Sequence, residues 1–205
     1  MNAGGPAIVD LSFPHRWRAE ILTTRPLILP SLHFVYPRVA EEIERGALEV
    51  LVHPDSQNSA SKYPQGAQPS QGAQPFLATC ALGFRDPAVP TGLWSAPDPT
   101  ELCAVSGGYA YLIDTVAPER FTMLPFRPVL EVRAMPTENL LLFVGHHAIL
   151  AWGSCGQAWE SEKLSSEGVT ITAIEAGILH GRGWDLMTDK ETPFALDLRT
   201  GLQVV

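Results

Sequence analysis

LLLFVGHHAILAWGSCGQAWES, residues 140–161, holds two apolar runs with a histidine pair between them and a cysteine in the stretch that follows. Its reading decides the fold. LLLFV and AILAWG read as strands, SCGQ as a turn and AWES as a further strand. Neighbouring side chains on a strand point to opposite faces. His146 and His147 in one regular strand therefore cannot share a metal ion. Either one faces the core and the other solvent, or both lie at the turn between Val144 and Ala148.

The same pattern of short strands and turns runs outward from this stretch. FLATCALGF (76–84) reads as a strand, and ELCAV, Gly107-Gly108, YAYLID as strand, tight turn, strand. VLEVRAM (129–135) alternates. VTITAIE (169–175) alternates strictly, which places Val169, Ile171 and Ala173 on one face. Gly177 turns the chain into ILHGRGW, and FALDLR closes with Thr200-Gly201 as its turn. Short, regular intervals of this kind belong to antiparallel sheets, not to βαβ units.

The N-terminal part is less regular. Prolines 6, 14, 26 and 30 break it into pieces, with Leu27–Leu29 and His33–Val35 extended. PRVAEEIERG (37–46) predicts one short helix, with Pro37 at its start, Val39 and Ile43 on one face and Gly46 as the cap. LEVLVH after it predicts a strand. Between Pro54 and Pro75 the pentapeptide QGAQP occurs twice, at 65–69 and 71–75, in a Pro/Gly/Gln/Ser-rich insertion that predicts a flexible surface loop. The expected division is an N-terminal segment (1–53), the insertion (54–75) and an all-β domain (76–205).

The 205 residues are 45% hydrophobic and 18% charged, as in a globular protein of low charge density. Fourteen Lys and Arg stand against 22 Asp and Glu, a net charge of −8. The only basic cluster, His15-Arg16-Trp17-Arg18, is too small to steer a polyanion, so no nucleic-acid partner is expected. The same acidity argues against an anionic membrane surface. No run approaches the roughly 18 apolar residues of a membrane span. MNAGGPAIVDLSFPH lacks the features of a signal peptide. Three cysteines, Cys80, Cys103 and Cys155, are a sparse and odd set that fits a reducing cytoplasm.

Two phrases, FALDLRTGLQV (194–204) and AILAWGSCGQAWES (148–161), resemble β-propeller blades of the pyrroloquinoline-quinone type. In such blades a strand ending near Ala-Leu-Asp leads through a Thr-Gly turn to a strand that opens on Trp. A blade takes about 40 residues, and these motifs do not recur at a steady period, so propeller-like hairpins are expected rather than a complete propeller. Residues 76–201, with ATCALGF, GLWSAPDP, LCAVSGGYAYLIDT, FVGHHAILAWG and GWDLMTDKETPFALDLRTG, are also similar to an uncharacterised family of bacterial proteins. That resemblance implies no activity and no catalytic residues.

Candidate chemistry is sparse. Metal ligands would come from His146, His147, Cys155, His180, Asp185 and Asp189, but none of the usual ligand spacings is present. Turn histidines bonded to backbone carbonyls are the plainer reading. AVSGG (104–108) starts on Ala104 and leads into a strand, so it lacks the strand-to-helix turn of a nucleophile elbow, and Ser106 reads as the start of a hairpin turn. Cys155 and His147 could pair across a hairpin as a nucleophile and base, without an evident third group. Asp185 could be a catalytic carboxylate, though loop carboxylates are usually solvated. Gly181 and Gly183 suggest a bulge or a close backbone approach. Trp94, Tyr109 and Tyr111 form either sheet core or an aromatic binding patch. The expectation is an all-β protein of mostly antiparallel sheets, sandwich or propeller-like hairpins, with one short N-terminal helix. It is expected to bind a protein partner, more basic than acidic and as in an immunity-type protein, and to need no cofactor. The competing reading is a small hydrolase with a pocket using His147, Cys155 or Asp185.

Overall fold

The run Leu140–Val144 is a strand whose five residues are all buried. Leu140, Leu142 and Val144 enter one core, and Leu141 and Phe143 enter another. A strand covered on both faces needs an unbroken apolar sequence, which is why no alternation marks it.

A computed structural model describes residues 6–38, 45–55 and 74–204 of the chain. The helix expected over 37–46 and the insertion expected over 54–75 lie for the most part outside the described residues. The chain enters through a short strand, β1 (Ile8–Asp10). A first sheet follows from β2 (Trp17–Leu22), β3 (Leu32–Tyr36), β4 (Ala47–Pro54) and β5 (Phe76–Ala81), in the order β2-β4-β5-β3. The second sheet runs β6 (Gly92–Ser95), β7 (Glu101–Ser106), β8 (Tyr109–Asp114) and β9 (Phe121–Met123), with β1 on its β6 edge. The third is β10 (Glu131–Met135), β11 (Leu140–Val144), β12 (Ile149–Gly153) and β13 (Gly156–Glu160). The fourth is β14 (Val169–Glu175), β15 (Ile178–Asp185) and β16 (Lys190–Asp197). Pairing is antiparallel except for β1 with β6 and β3 with β5. The protein is therefore all-β and mostly antiparallel. The first sheet is shared across residue 76, because β5 lies between β4 and β3.

The sheets stack in chain order. One core joins the first sheet to the second through Val50, Phe76, Leu102 and Tyr111. A second core joins the second sheet to the third through Trp94, Leu112, Phe143 and Leu150. A third joins the third sheet to the fourth through Leu142, Ile149, Val169 and Leu196.

Local chemistry sets the registers. Gly107 (φ 56°) and Gly108 (φ 75°) occupy the two central positions between the paired Ser106 and Tyr109. Primed turns match the twist of the flanking strands, and positive φ at both centres makes this one type I′, which two glycines adopt without strain. One expectation needs correcting. Val169 and Ile171 face the core, but a bulge between Ile171 and Ala173 inserts an extra residue, so Ile174 and not Ala173 rejoins that face. A single inserted residue exchanges the faces of everything beyond it. On β16, residues 202–204 pair with the end of the strand, through Val204 N–H to the Ala195 carbonyl (2.9 Å) and Asp197 N–H to the Leu202 carbonyl (2.9 Å). Two residues earlier along the same edge stands Pro193, which has no N–H to offer a further strand.

Two adjacent truncations test the two-faced burial of β11. Leu142→Ala is expected to cost about 2–5 kcal/mol and Phe143→Ala about 3–5 kcal/mol, because each opens a cavity in a different core. Urea denaturation of both variants measures this. If the third sheet had a solvent face, one of the two would be near neutral.

Candidate functional site

The third sheet has two ends. At one, Glu131 of β10 faces Val144 of β11, Val144 faces Ile149 of β12, and Leu150 faces Glu160 of β13. The loop entering β10, the β11–β12 turn and the exit of β13 therefore converge. They enclose a groove of about 310 Å³ lined by Pro125, Phe126, Arg127, Gly145, His146, His147 and Glu160, among others.

Buried neighbours hold each wall. Leu124 and Val129 are almost fully buried, and their N–H groups donate to the carbonyls of Ala110 (3.0 Å) and Gly108 (2.9 Å). This pins the Pro125–Pro128 loop at both ends. The Arg127 guanidinium lies 5.0 Å above the Tyr109 ring. Phe126 rests on Gly145, where an added Cβ would come within 2.6 Å of the ring, so the floor requires glycine. Gly145 N–H donates to the Ala148 carbonyl (3.0 Å), closing a turn with His146 and His147 at its tip. The His147 carbonyl accepts from Leu164 N–H (2.7 Å), and its Nδ1 lies 3.1 Å from the Ser165 carbonyl. A carbonyl only accepts, so Nδ1 is the donor in that contact. The two imidazole rings lie 6.1 Å apart.

The structure separates the other candidates. His147 and Cys155 lie two residues beyond opposite ends of β12. Five residues of strand span roughly 16 Å, so the proposed nucleophile–base pair is not assembled. His180 is exposed on β15, between Ala173 and Ala195. The Asp185 carboxylate accepts from Met187 N–H (2.9 Å) and the Thr188 hydroxyl (2.9 Å). Those bonds, the Met187 one first, hold its pKa below the usual carboxylate value. Asp189 takes a positive φ of 55° in the same turn. Among the described residues no cluster of three His, Cys, Asp or Glu is placed to hold a metal ion. The aromatic patch is corrected for two of its members. Tyr111 (0% exposed) and Trp94 (2%) are core residues, and the Tyr111 hydroxyl donates to the Ala81 carbonyl (2.9 Å). Tyr109 is half-buried and packs under Arg127 and edge-on to Phe84. All three cysteines are free, and only Cys155 is exposed. Burial pushes the Cys80 and Cys103 thiols up.

Two polar clusters escaped the sequence reading. On the face of the first sheet away from the core, the Thr79 hydroxyl donates to Glu49 (2.6 Å) and lies 2.9 Å from His33 Nε2. Burial, and then Arg25, lower the His33 pKa. Thr79 is fully buried, while His33 is half-buried at the outer end of this chain of contacts. The second cluster centres on Glu101. Trp17 of the first sheet donates its indole N–H to the Glu101 carbonyl (3.2 Å), and Trp152 of the third donates to the carboxylate (2.7 Å). The partners are 84 and 51 residues away in sequence, and no local pattern announces them. Burial, only partly offset by the Trp152 bond, pushes the Glu101 pKa up to about 7.

No family model matches the chain, and no curated protein matches it either. Among solved structures it is similar to the computationally designed Ika8 protein, with 11% identity and a TM-score of 0.40 over 78% of this chain and 45% of that one. It is similar to the WD40 β-propeller domain of Doa1, with 12% identity and a TM-score of 0.39 over 79% and 50%. The N-terminal domain of Nup159 gives 11% and 0.37 over 97% and 52%. The chain spans about half the length of each. These likenesses assign no function. Among the described residues no helix is long and apolar enough to cross a membrane.

Glu101 yields a pH test. Its folded pKa lies above the unfolded value, so the stabilisation is full below the unfolded pKa of 4.5 and is lost as pH rises through about 7. Glu101→Gln keeps an acceptor for Trp152 and removes the charge. Its stability relative to the natural chain is expected to rise between pH 5 and pH 8 by on the order of 2 kcal/mol. Thermal melts at the two pH values measure it, and a constant difference would contradict the assignment.

Proposed function

We propose that the chain is a non-catalytic protein-interaction module that holds a segment of a partner in the groove between Phe126 and His146. The observation that carries this reading is the groove itself. An apolar floor of Phe126 on Gly145 meets a polar rim of Arg127, His147 and Glu160, and buried neighbours hold both the entering loop and the turn. Preformed walls lose little freedom on binding, and an aromatic residue in a pocket is the usual anchor of an interface. The net charge of −8 favours a basic partner, as in an immunity-type protein that caps one. Three unpaired thiols, one of them exposed, support a cytoplasmic setting. The resemblance of residues 76–201 supports a bacterial source.

A random peptide library displayed on phage tests this. Selected peptides are expected to pair an apolar residue with a basic one and to bind less tightly as salt is raised. Phe126→Ala is expected to weaken them about tenfold or more, equivalent to about 1.4 kcal/mol. His146→Ala, half-buried on the facing turn, is the companion variant should Phe126→Ala disturb the loop. Equal binding to both variants would remove the groove as the site. Turnover of an ester or peptide panel that His147→Ala abolishes would establish the hydrolase instead.

A further inference from the structure

The rim of the groove carries two opposite charges that do not meet. Arg127 and Glu160 both line it, yet among the described residues neither side chain has a hydrogen bond or an ion pair. Glu131, at the same sheet end, is taken by Arg133 (2.6 Å). The sheet order keeps the two rim charges apart. Arg127 lies in the loop entering β10 and Glu160 ends β13, with β11 and β12 between them. Adjacent strands are about 4.8 Å apart, so three steps separate the two sides by about 14 Å, which an extended segment crosses in about four residues. Exposed arginines without an ion pair are common, but this one is held. Its guanidinium lies 5.0 Å above the Tyr109 ring, which Phe84 braces edge-on. Stacking occupies one face of a guanidinium and leaves its in-plane N–H groups free, in the fork that fits a carboxylate.

We propose that the groove takes the C-terminal segment of its partner. The terminal carboxylate sits on Arg127, the last side chain, an apolar one, on Phe126, and a basic residue about three or four positions earlier at Glu160. This rests on the groove being a binding site, as argued above, and gives the bound segment a direction. A terminus is favoured over an internal acidic residue for a geometric reason. Phe126 and Arg127 are consecutive, so the apolar group and the anion they receive must lie close together. A terminal residue carries both on one Cα. In an internal extended segment neighbouring side chains point to opposite faces, so an acidic residue and the apolar residue next to it cannot both enter. Placed two residues apart they share a face, but they are then about 7 Å apart, and two side chains instead of one lose their freedom. A basic protein also ends in a carboxylate, so a partner attracted by the net charge of −8 can carry this terminus.

Two phage libraries of random peptides test this, one ending in a free carboxylate and one with the same random stretch inside the coat protein. Only the first is expected to yield binders, with an apolar final residue and Lys or Arg about three or four positions before it. Synthetic copies of the selected peptides, as C-terminal acid and as amide, are then compared by fluorescence polarisation. The amide is expected to bind the natural chain about five- to tenfold less tightly. Arg127→Gln is expected to bring the acid down to the amide and leave the amide unchanged, and Arg127→Lys to recover part of the difference. Glu160→Gln is expected to remove the preference for the basic residue and keep the difference between acid and amide. Phe126→Ala is expected to weaken both forms alike. Acid and amide that bind equally, a difference that survives Arg127→Gln, or binders from the internal library that Phe126→Ala weakens would each overturn the C-terminal assignment and leave the groove reading standing. No binder from either library, or binders indifferent to both Phe126→Ala and His146→Ala, would remove both.

Discussion

Burial of the middle sheets on both faces is the constraint on which the rest of the structure depends. Each residue of β11 commits to a core shared with one neighbouring sheet, and the next residue commits to the other. A slip of one residue there would not expose an apolar side chain. It would deliver the wrong volume to both cores at once, and close-packed interiors accept little change of volume. Register therefore has to be set from outside the strands. The paired glycines at 107 and 108, and the positive φ values at Asn139 and Gly156, do so in the connections. Glu101 adds a polar tie. By accepting from indoles of the first and third sheets it joins three layers at one residue, and burial there raises the pKa of its carboxyl.

The sheets at the two ends of the stack solve a different problem. The fourth turns Thr170, His180 and Arg182 outward, so its free face is polar. The first leaves Arg18 and Glu20 of its edge strand exposed but keeps the outward polar groups of its central strands inside, since Glu49 and Thr79 are buried and bonded to each other. Arg25 and the loop that carries it lie over them. A buried carboxylate requires such partners. The loop that serves the buried carboxylate is the one that carries Leu27 and Ile28 into solvent.

Strands with a solvent face or a tight turn were legible in the residues. VTITAIE, the Gly107-Gly108 hairpin and LEVLVH each carry a period or a turn whose physics is local. What failed was non-local or short. WRAEIL looks charged because Arg18 and Glu20 occupy its outward face, while Trp17 is buried in the core. GLWS is four residues long, and β1 is a parallel strand of three, too short for any period. The bulge at Thr172 is invisible to alternation, because a strictly alternating sequence is what hides it. Of the site, the histidine turn was legible as a possibility. Phe126 was not, since what identifies it is contact with Gly145, 19 residues on, through a sheet end that only pairing defines.

Hairpin arithmetic explains why His147 and Cys155 attracted a pairing that the fold does not make. Residues meet across a hairpin when they lie at equal distances on either side of its turn. These two instead flank a strand, so their spacing of eight measures the length of β12. The residues that do meet obey the other rule. Gly145 and His146 sit on one turn, Phe126 enters the same sheet end from β9, and Glu160 reaches it because β13 runs back antiparallel from the Cys155 turn. In a meander such as the third sheet, groups gather by sheet end, and every second connection returns to the same end. A site in this architecture is therefore written in alternate loops, and the loop that enters β10 belongs with the β11–β12 turn and the exit from β13, whatever lies between them in sequence.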